Sequence, residues 1–270
     1  MLIDTHCHLD ASEFDADRDD IVQKAFANGI NQIVIPAVAR NNFDAVIQAC
    51  LQHSHCAYAL GIHPMYVDSA ILEDLETLKH YVEQNKPIAI GEIGLDYFVT
   101  KQNQPELNRN LQAHFFTEQL KIAQQFNLPV ILHVRSAVDD VLKYLRRHKV
   151  VGGIAHAFNG SFQQAEQFIG LGFKLGFGGA MTYSRAKHIR ALATQLPLES
   201  IVLETDSPDM PPEWLGNNGR NTPLELTKIA VVLADLKGIN LAQVVDITSA
   251  NALKVLPKLA DLCTPPKPLH

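Results

Sequence analysis

Short runs of β-branched and aliphatic residues recur along the chain, and longer segments with apolar residues at helical spacing separate them. The short runs lie near 2–5, 32–36, 56–61, 87–92, 129–133, 151–156, 173–177 and 201–205. Helix-like segments fall between them, near 17–28, 42–52, 70–85, 106–126, 137–148, 161–170 and 185–195, and two more, near 222–236 and 241–256, follow the last run. Runs that are apolar throughout predict strands covered on both faces, as in a parallel sheet wrapped by helices. Eight strands alternating with helices is the count of a TIM-like (β/α)8 barrel, an α/β fold. The alternative, a doubly wound open sheet, is weakened because no glycine-rich dinucleotide fingerprint follows the first run.

Length and composition fit one domain spanning 1–270. A chain of 270 residues, 47% hydrophobic and 19% charged, can bury a large core. Acidic residues Asp4, Asp10 and Glu13 interrupt the N-terminus before any long apolar stretch, so no signal peptide or membrane span is expected. The four cysteines, Cys7, Cys50, Cys56 and Cys263, form no CxxC pair and suit a reducing cytoplasm. A net charge of −6 argues against coating long nucleic acid with a basic face. It leaves open an enzyme that takes one phosphodiester into a pocket, because bound divalent cations would supply the local positive charge.

Candidate chemistry gathers where the apolar runs end. His6 and His8 follow the first run at period two, which places both imidazoles on one face and turns Cys7 to the other. Glu92, His133, His156 and Asp206 close four later runs, where parallel strands meet solvent and α/β folds keep their active sites. From His6 to Asp206 the candidates span seven βα units of about 29 residues, a normal barrel repeat. The interval from Glu92 to His133 is longer, and its surplus, Val99 to Pro105, is a candidate lid or substrate loop.

The segments Asp4-Thr5-His6-Cys7-His8, Gly61-Ile62-His63-Pro64, Gly91-Glu92-Ile93-Gly94-Leu95-Asp96, His133-Val134-Arg135, His156-Ala157-Phe158-Asn159-Gly160 and Glu204-Thr205-Asp206-Ser207-Pro208 carry a resemblance. In this order and spacing the chain resembles the TatD family of metal-dependent hydrolases, in the amidohydrolase superfamily, over essentially its whole length. The resemblance implies a barrel enzyme, with divalent-metal-dependent deoxyribonucleases of 3′–5′ exonuclease character among its relatives, acting on DNA ends or a small phosphoester. It implies two divalent ions per chain, one held by His6, His8 and Asp206, the other by His133 and His156, with Glu92 bridging them. Four imidazoles favour Zn²⁺, Mn²⁺, Fe²⁺ or Co²⁺, whereas the resemblance points to Mg²⁺ for nuclease activity.

Other roles follow from that centre. Asp206 and Glu92 are the expected catalytic carboxylates, with Asp206 accepting a proton from water. His63, Arg135 and Arg220 are the expected substrate contacts, the two arginines through guanidinium forks suited to phosphate. Thr222-Pro223-Leu224-Glu225 reads as a capping box that fixes Arg220 at a helix entrance. Glu204 orients a ligand or fills a salt-bridged barrel interior. Arg185, Lys187 and Arg190 read as a solvated helix face. Many family members carry an aromatic residue after the Glu-Thr-Asp-Ser-Pro motif; here Asp209-Met210-Pro211 stands instead, with Trp214 as a possible substitute. Two other readings are open: a superfamily hydrolase of another ester, lactone, amide or aminoacyl-tRNA, and a non-catalytic metal-binding protein.

Overall fold

The computed structural model describes residues 1–98, 105–216 and 218–262. Its eight strands are β1 (Leu2–Asp4), β2 (Ile30–Pro36), β3 (Cys56–Leu60), β4 (Ala89–Asp96), β5 (Val130–Arg135), β6 (Gly153–Ala155), β7 (Phe173–Phe177) and β8 (Ile201–Leu203). Between them run α1 (Arg18–Ala27), α2 (Phe43–Gln52), α3 (Glu73–Asn85), α4 (Pro105–Phe126), α5 (Val138–Arg147), α6 (Phe162–Gly170) and α7 (Lys187–Gln195). Three further helices, α8 (Leu226–Lys237), α9 (Leu241–Val255) and α10 (Lys258–Leu262), follow the last strand. Every strand pairs in parallel with its neighbours in chain order. The order never reverses, so the fold is the TIM-like barrel and not the doubly wound sheet.

The seam between β8 and β1 brings the two ends of the barrel sequence together. Thr5 N and Thr5 Oγ1 both donate to Leu203 O, at 3.1 and 3.0 Å, and past the strands Asp206 N donates to His6 O and His8 N to Ser207 O, each at 2.8 Å. Asp4 clamps the same seam: its carboxylate accepts Thr205 N at 2.9 Å and Thr205 Oγ1 at 2.6 Å. Burial raises the Asp4 pKa to about 8, although these hydrogen bonds favour its charged form. The sequence-distant His6, His8 and Asp206 therefore stand side by side.

Two apolar clusters fix which end of the barrel stays open. Ile3, Val34, Ala59, Ile131, Ile154 and Val202 belong to one, which Val255 of α9 and Leu259 of α10 also join. Its strand residues alternate with those packed under the outer helices, so they fill the barrel interior in layers. Ser249 of α9 donates to Met1 O at 2.6 Å, and Asn251 donates to Leu198 O and Ile201 O at 2.8 Å each, which plugs the N-terminal face. The C-terminal ends of the strands form the mouth.

Several boundaries differ from those expected. β1, β6 and β8 stop before His6, His156 and Asp206, which lie on irregular backbone just past the ladders. Conversely, β4 runs on to Asp96, so Glu92 sits within the strand, where the register to β5 shifts between Ile90 and Ile93. Such an irregularity re-aims side chains. Thr222 makes no side-chain cap; Pro223–Glu225 form a 3-10 turn before α8, and Glu225 Oε2 instead accepts Trp214 Nε1 at 2.6 Å. Of the candidate lid, residues 99–104 lie outside the described residues, and Pro105 opens α4. No helix among the described residues is long and apolar enough to cross a membrane.

Candidate metal centre

Five imidazoles surround the carboxylate of Glu92, which is 2% exposed. Its two oxygens face different partners. Glu92 Oε2 lies 3.1 Å from His6 Nε2 and 3.5 Å from His8 Nε2. Asp206 Oδ1 stands on the same side, 3.5 Å from His6 Nε2 and 3.6 Å from His8 Nε2. Glu92 Oε1 faces His133 Nδ1 at 3.1 Å, and His63 Nε2 and His156 Nε2 at 3.4 Å each. His6 and His156 stack with centroids 3.9 Å apart and so connect the two groups.

These separations fit shared cations. Ligands held tetrahedrally at about 2.0–2.1 Å from one ion lie about 3.3–3.4 Å from each other. Three sets of three donors each fall within 4.8 Å: His6, His156 and Asp206; His6, His8 and Glu92; His63, Glu92 and His133. Proton balance points the same way. Burial and the His156 ring lower the His6 pKa to about 3, against the pull of Glu92. Burial also opposes charge on His156, yet Asp206, Glu92 and Glu204 together raise its pKa to about 10. Burial raises the Asp206 pKa to about 6, despite His156 and His8. The carboxylates thus favour cationic charge at His156 while His6 stays neutral, and a metal ion competes for the same lone pairs as the proton.

Neighbouring groups set the direction of the rings. His63 follows β3 and caps the Pro64–Tyr66 turn, with its Nδ1 accepting Met65 N at 3.1 Å. That bond occupies the Nδ1 lone pair, so Nε2 of the neutral ring carries the proton and points at Glu92. Although His63 belongs to one of the three-donor sets, this tautomer makes it a hydrogen-bond donor and not a ligand. His133 contacts Glu92 through Nδ1 and Asp96 Oδ2 through Nε2, the latter at 3.0 Å. Asp96 accepts the Nε2 proton and leaves the Nδ1 lone pair facing the centre. Glu204 accepts Ala157 N at 2.6 Å and lies 3.4 Å from His156 Nδ1. A Cβ at Gly176 would overlap the Glu204 carboxylate, so the glycine-rich end of β7 leaves room for this contact.

The structure brings His6, His8, His63, Glu92, His133, His156 and Asp206 into one cluster, and it treats the two arginines differently. Arg135 ends β5 at the mouth, exposed, with its guanidinium carbon 3.9 Å from the Phe98 ring centroid. Arg220 donates to both oxygens of Asp17, at 3.0 and 2.6 Å, and to Glu13 O at 2.6 Å. It ties the loop after β8 to the start of α1. Asp96 is a functional residue that the sequence motifs do not single out; strand alternation from Glu92 through Gly94 to Asp96 is the signal that points to it. Cys7 is fully buried away from the imidazoles, with Sγ 3.0 Å from Ser207 Oγ. We expect Cys7→Ala to leave metal content unchanged and to cost about 1 kcal/mol from the lost contact. Loss of bound metal with an intact circular-dichroism spectrum would contradict this placement.

A parallel barrel with clustered imidazole and carboxylate donors at its mouth is the architecture of a metal-dependent hydrolase. The model of the TatD related DNase family matches residues 3–257, and the chain belongs to that family. It is 40% identical over 239 residues to the uncharacterized metal-dependent hydrolase YjjV of Escherichia coli, covering 87% of this chain and 90% of that protein. Against human deoxyribonuclease TATDN3 the identity is 33% over 273 residues, covering 97% and 96%. The crystal structure of Escherichia coli YjjV superimposes with a TM-score of 0.88 at 36% identity, covering 95% of this chain and 98% of that one.

Proposed function

We propose that this hydrolase cleaves phosphodiester bonds, as a TatD-type deoxyribonuclease with two divalent cations, Mg²⁺, Mn²⁺ or Zn²⁺, bridged by Glu92. The observation that carries the reading is the division of the Glu92 carboxylate, with Oε2 toward His6 and His8 and Oε1 toward His133 and His156. A carboxylate can share its oxygens between two ions, whereas each imidazole serves one. Asp206 completes the His6 and His8 group. The relative named a deoxyribonuclease supports DNA as the substrate class.

When bound, the cations would supply Lewis acidity at the phosphoryl oxygens and make water more acidic. The protein residues do the rest. Asp206 accepts the proton of the attacking water, from a carboxylate whose burial already favours protonation. His63, whose Nε2–H lies 3.4 Å from Glu92 Oε1, would turn that proton to a phosphoryl or leaving oxygen, because Met65 N holds its other nitrogen. Arg135 meets phosphate at the mouth. We assign Arg220 to anchoring its loop on Asp17 in place of substrate contact. Cys7, Cys50 and Cys56, buried and unpaired among the described residues, suit work in the reducing cytoplasm.

The test is a panel of DNA ends, small phosphodiesters, lactones, cyclic amides and an aminoacyl-tRNA, assayed with each of Mg²⁺, Mn²⁺ and Zn²⁺. The expected result is metal-dependent turnover of the phosphodiesters and DNA ends, abolished by chelation. Turnover confined to lactones, amides or the aminoacyl ester would replace this reading with another superfamily hydrolase.

A further inference from the structure

A groove leads away from the metal centre on the β7–β8 side. A small cavity beside Asp206 and Glu204 shares Ala180, Ile189 and Met210 with a larger groove of about 420 Å³. That groove is also lined by Tyr183 and Arg185. The two spaces therefore adjoin across these three residues, which places the groove next to Asp206 on the β7–β8 side.

The walls are locked before anything binds. Tyr183 Oη donates to Pro211 O at 3.0 Å, and Glu213 N donates to Thr182 Oγ1 at 2.8 Å, which fastens the segment after β7 to the loop after β8. Arg190 of α7 holds Met181 O at 3.1 Å from below. A preformed groove spares the ordering cost of binding. Tyr183 has its hydroxyl proton committed, so its ring offers an apolar surface, and the Arg185 guanidinium carbon lies 5.4 Å from the ring centroid. Among the described residues, no carboxylate and no lysine line this larger groove. The lining suits a neutral, flat occupant with an electron-rich face, held by ring and guanidinium together.

Resting on the phosphodiester reading, we infer that this groove is the subsite for a nucleobase next to the scissile phosphate, with Tyr183 and Arg185 as its platform. Met210 and Pro211 line the groove opposite Tyr183. Trp214 does not line it; its Nε1 is held by Glu225, and Lys228 Nζ lies 5.7 Å from its ring centroid. Arg185 is exposed, as expected from sequence, and in this reading it also contacts the base.

The test uses the dinucleotide TpT and three analogues lacking the 5′ base, the 3′ base or both, hydrolysed by the Mn²⁺-loaded protein. Removing one particular base should raise KM by about 5- to 150-fold, the range of one base–aromatic stack, and removing the other should change it far less. Tyr183→Ala should erase that difference, Tyr183→Phe should keep it, and Ala186→Glu, which puts a carboxylate into the groove, should weaken TpT more than the doubly abasic compound. Metal content and thermal unfolding matching the wild type show that each variant is folded. Equal KM for all four compounds, or a base dependence that survives both Tyr183→Ala and Ala186→Glu, overturns the subsite and leaves the phosphodiester reading standing. Hydrolysis of none of the four overturns both.

Discussion

Glu92→Gln is expected to weaken both halves of the metal centre and to lower kcat/KM on a phosphodiester by at least about 10²- to 10³-fold, the scale of a lost electrostatic group in a dry site. The substitution keeps the volume and exchanges one oxygen for an amide nitrogen. Whichever way the amide turns, its NH2 faces imidazole nitrogens: those of His6 and His8 on one side, or His133 and His156 on the other. The negative charge shared by both groups is lost as well. Burial alone would raise the Glu92 pKa, yet His6, His63 and His156 hold it well below the usual carboxylate range, so the anion is the form this site stabilises. His156→Ala, by contrast, removes one donor near Oε1 and should chiefly empty one position. Metal analysis after dialysis separates the cases. Two full equivalents of metal in Glu92→Gln would defeat the bridging role.

The parts of the fold and centre that sequence reveals are those with a local signature. Apolar runs and helical periods report the eight strands and their helices because a parallel sheet buries whole runs. His6, His8, His133, His156 and Asp206 stand out because polar donors stop those runs. What stays hidden depends on partners distant in sequence. Arg220 before a proline turn reads as a substrate contact, but it finds Asp17, 203 positions away, because the barrel seam lays its loop beside α1. Asp96 escapes notice because β4 continues four residues past Glu92, which no change in hydrophobicity marks. Tyr183 lies between a 3-10 turn and α7, where no periodicity speaks for it, and its bond to Pro211 spans 28 positions. The expected ends of β1, β6 and β8 run too long for the same reason. Hydrogen bonds such as Thr5 to Leu203 continue the chain in extended form after the regular ladder has stopped.

Asp206→Asn should lower kcat on a phosphodiester by at least about 10²-fold, the scale of lost acid–base catalysis, while KM stays within a few-fold. The backbone makes this substitution clean. Asp206 has φ of 57°, in the left-handed region, which asparagine tolerates as well as aspartate does. Its N–H to His6 O bond at 2.8 Å is untouched by the side-chain change. The effect is therefore confined to the carboxylate, where Oδ1 faces His6 and His8 and an amide could still offer one oxygen to a cation but could not accept a proton. Saturating Mn²⁺ separates the two roles. If Asp206 were only a ligand, added metal would restore kcat; if it is the base, kcat stays low at full occupancy. Near wild-type kcat under metal saturation would exclude Asp206 as base. The remaining groups at the centre then narrow the choice, because His63 already carries its proton on Nε2 and the surrounding imidazoles hold Glu92 well below the usual carboxylate range. Proton acceptance would then pass to Glu204, whose Oε2 is buried beside His156 with no hydrogen-bond partner among the described residues.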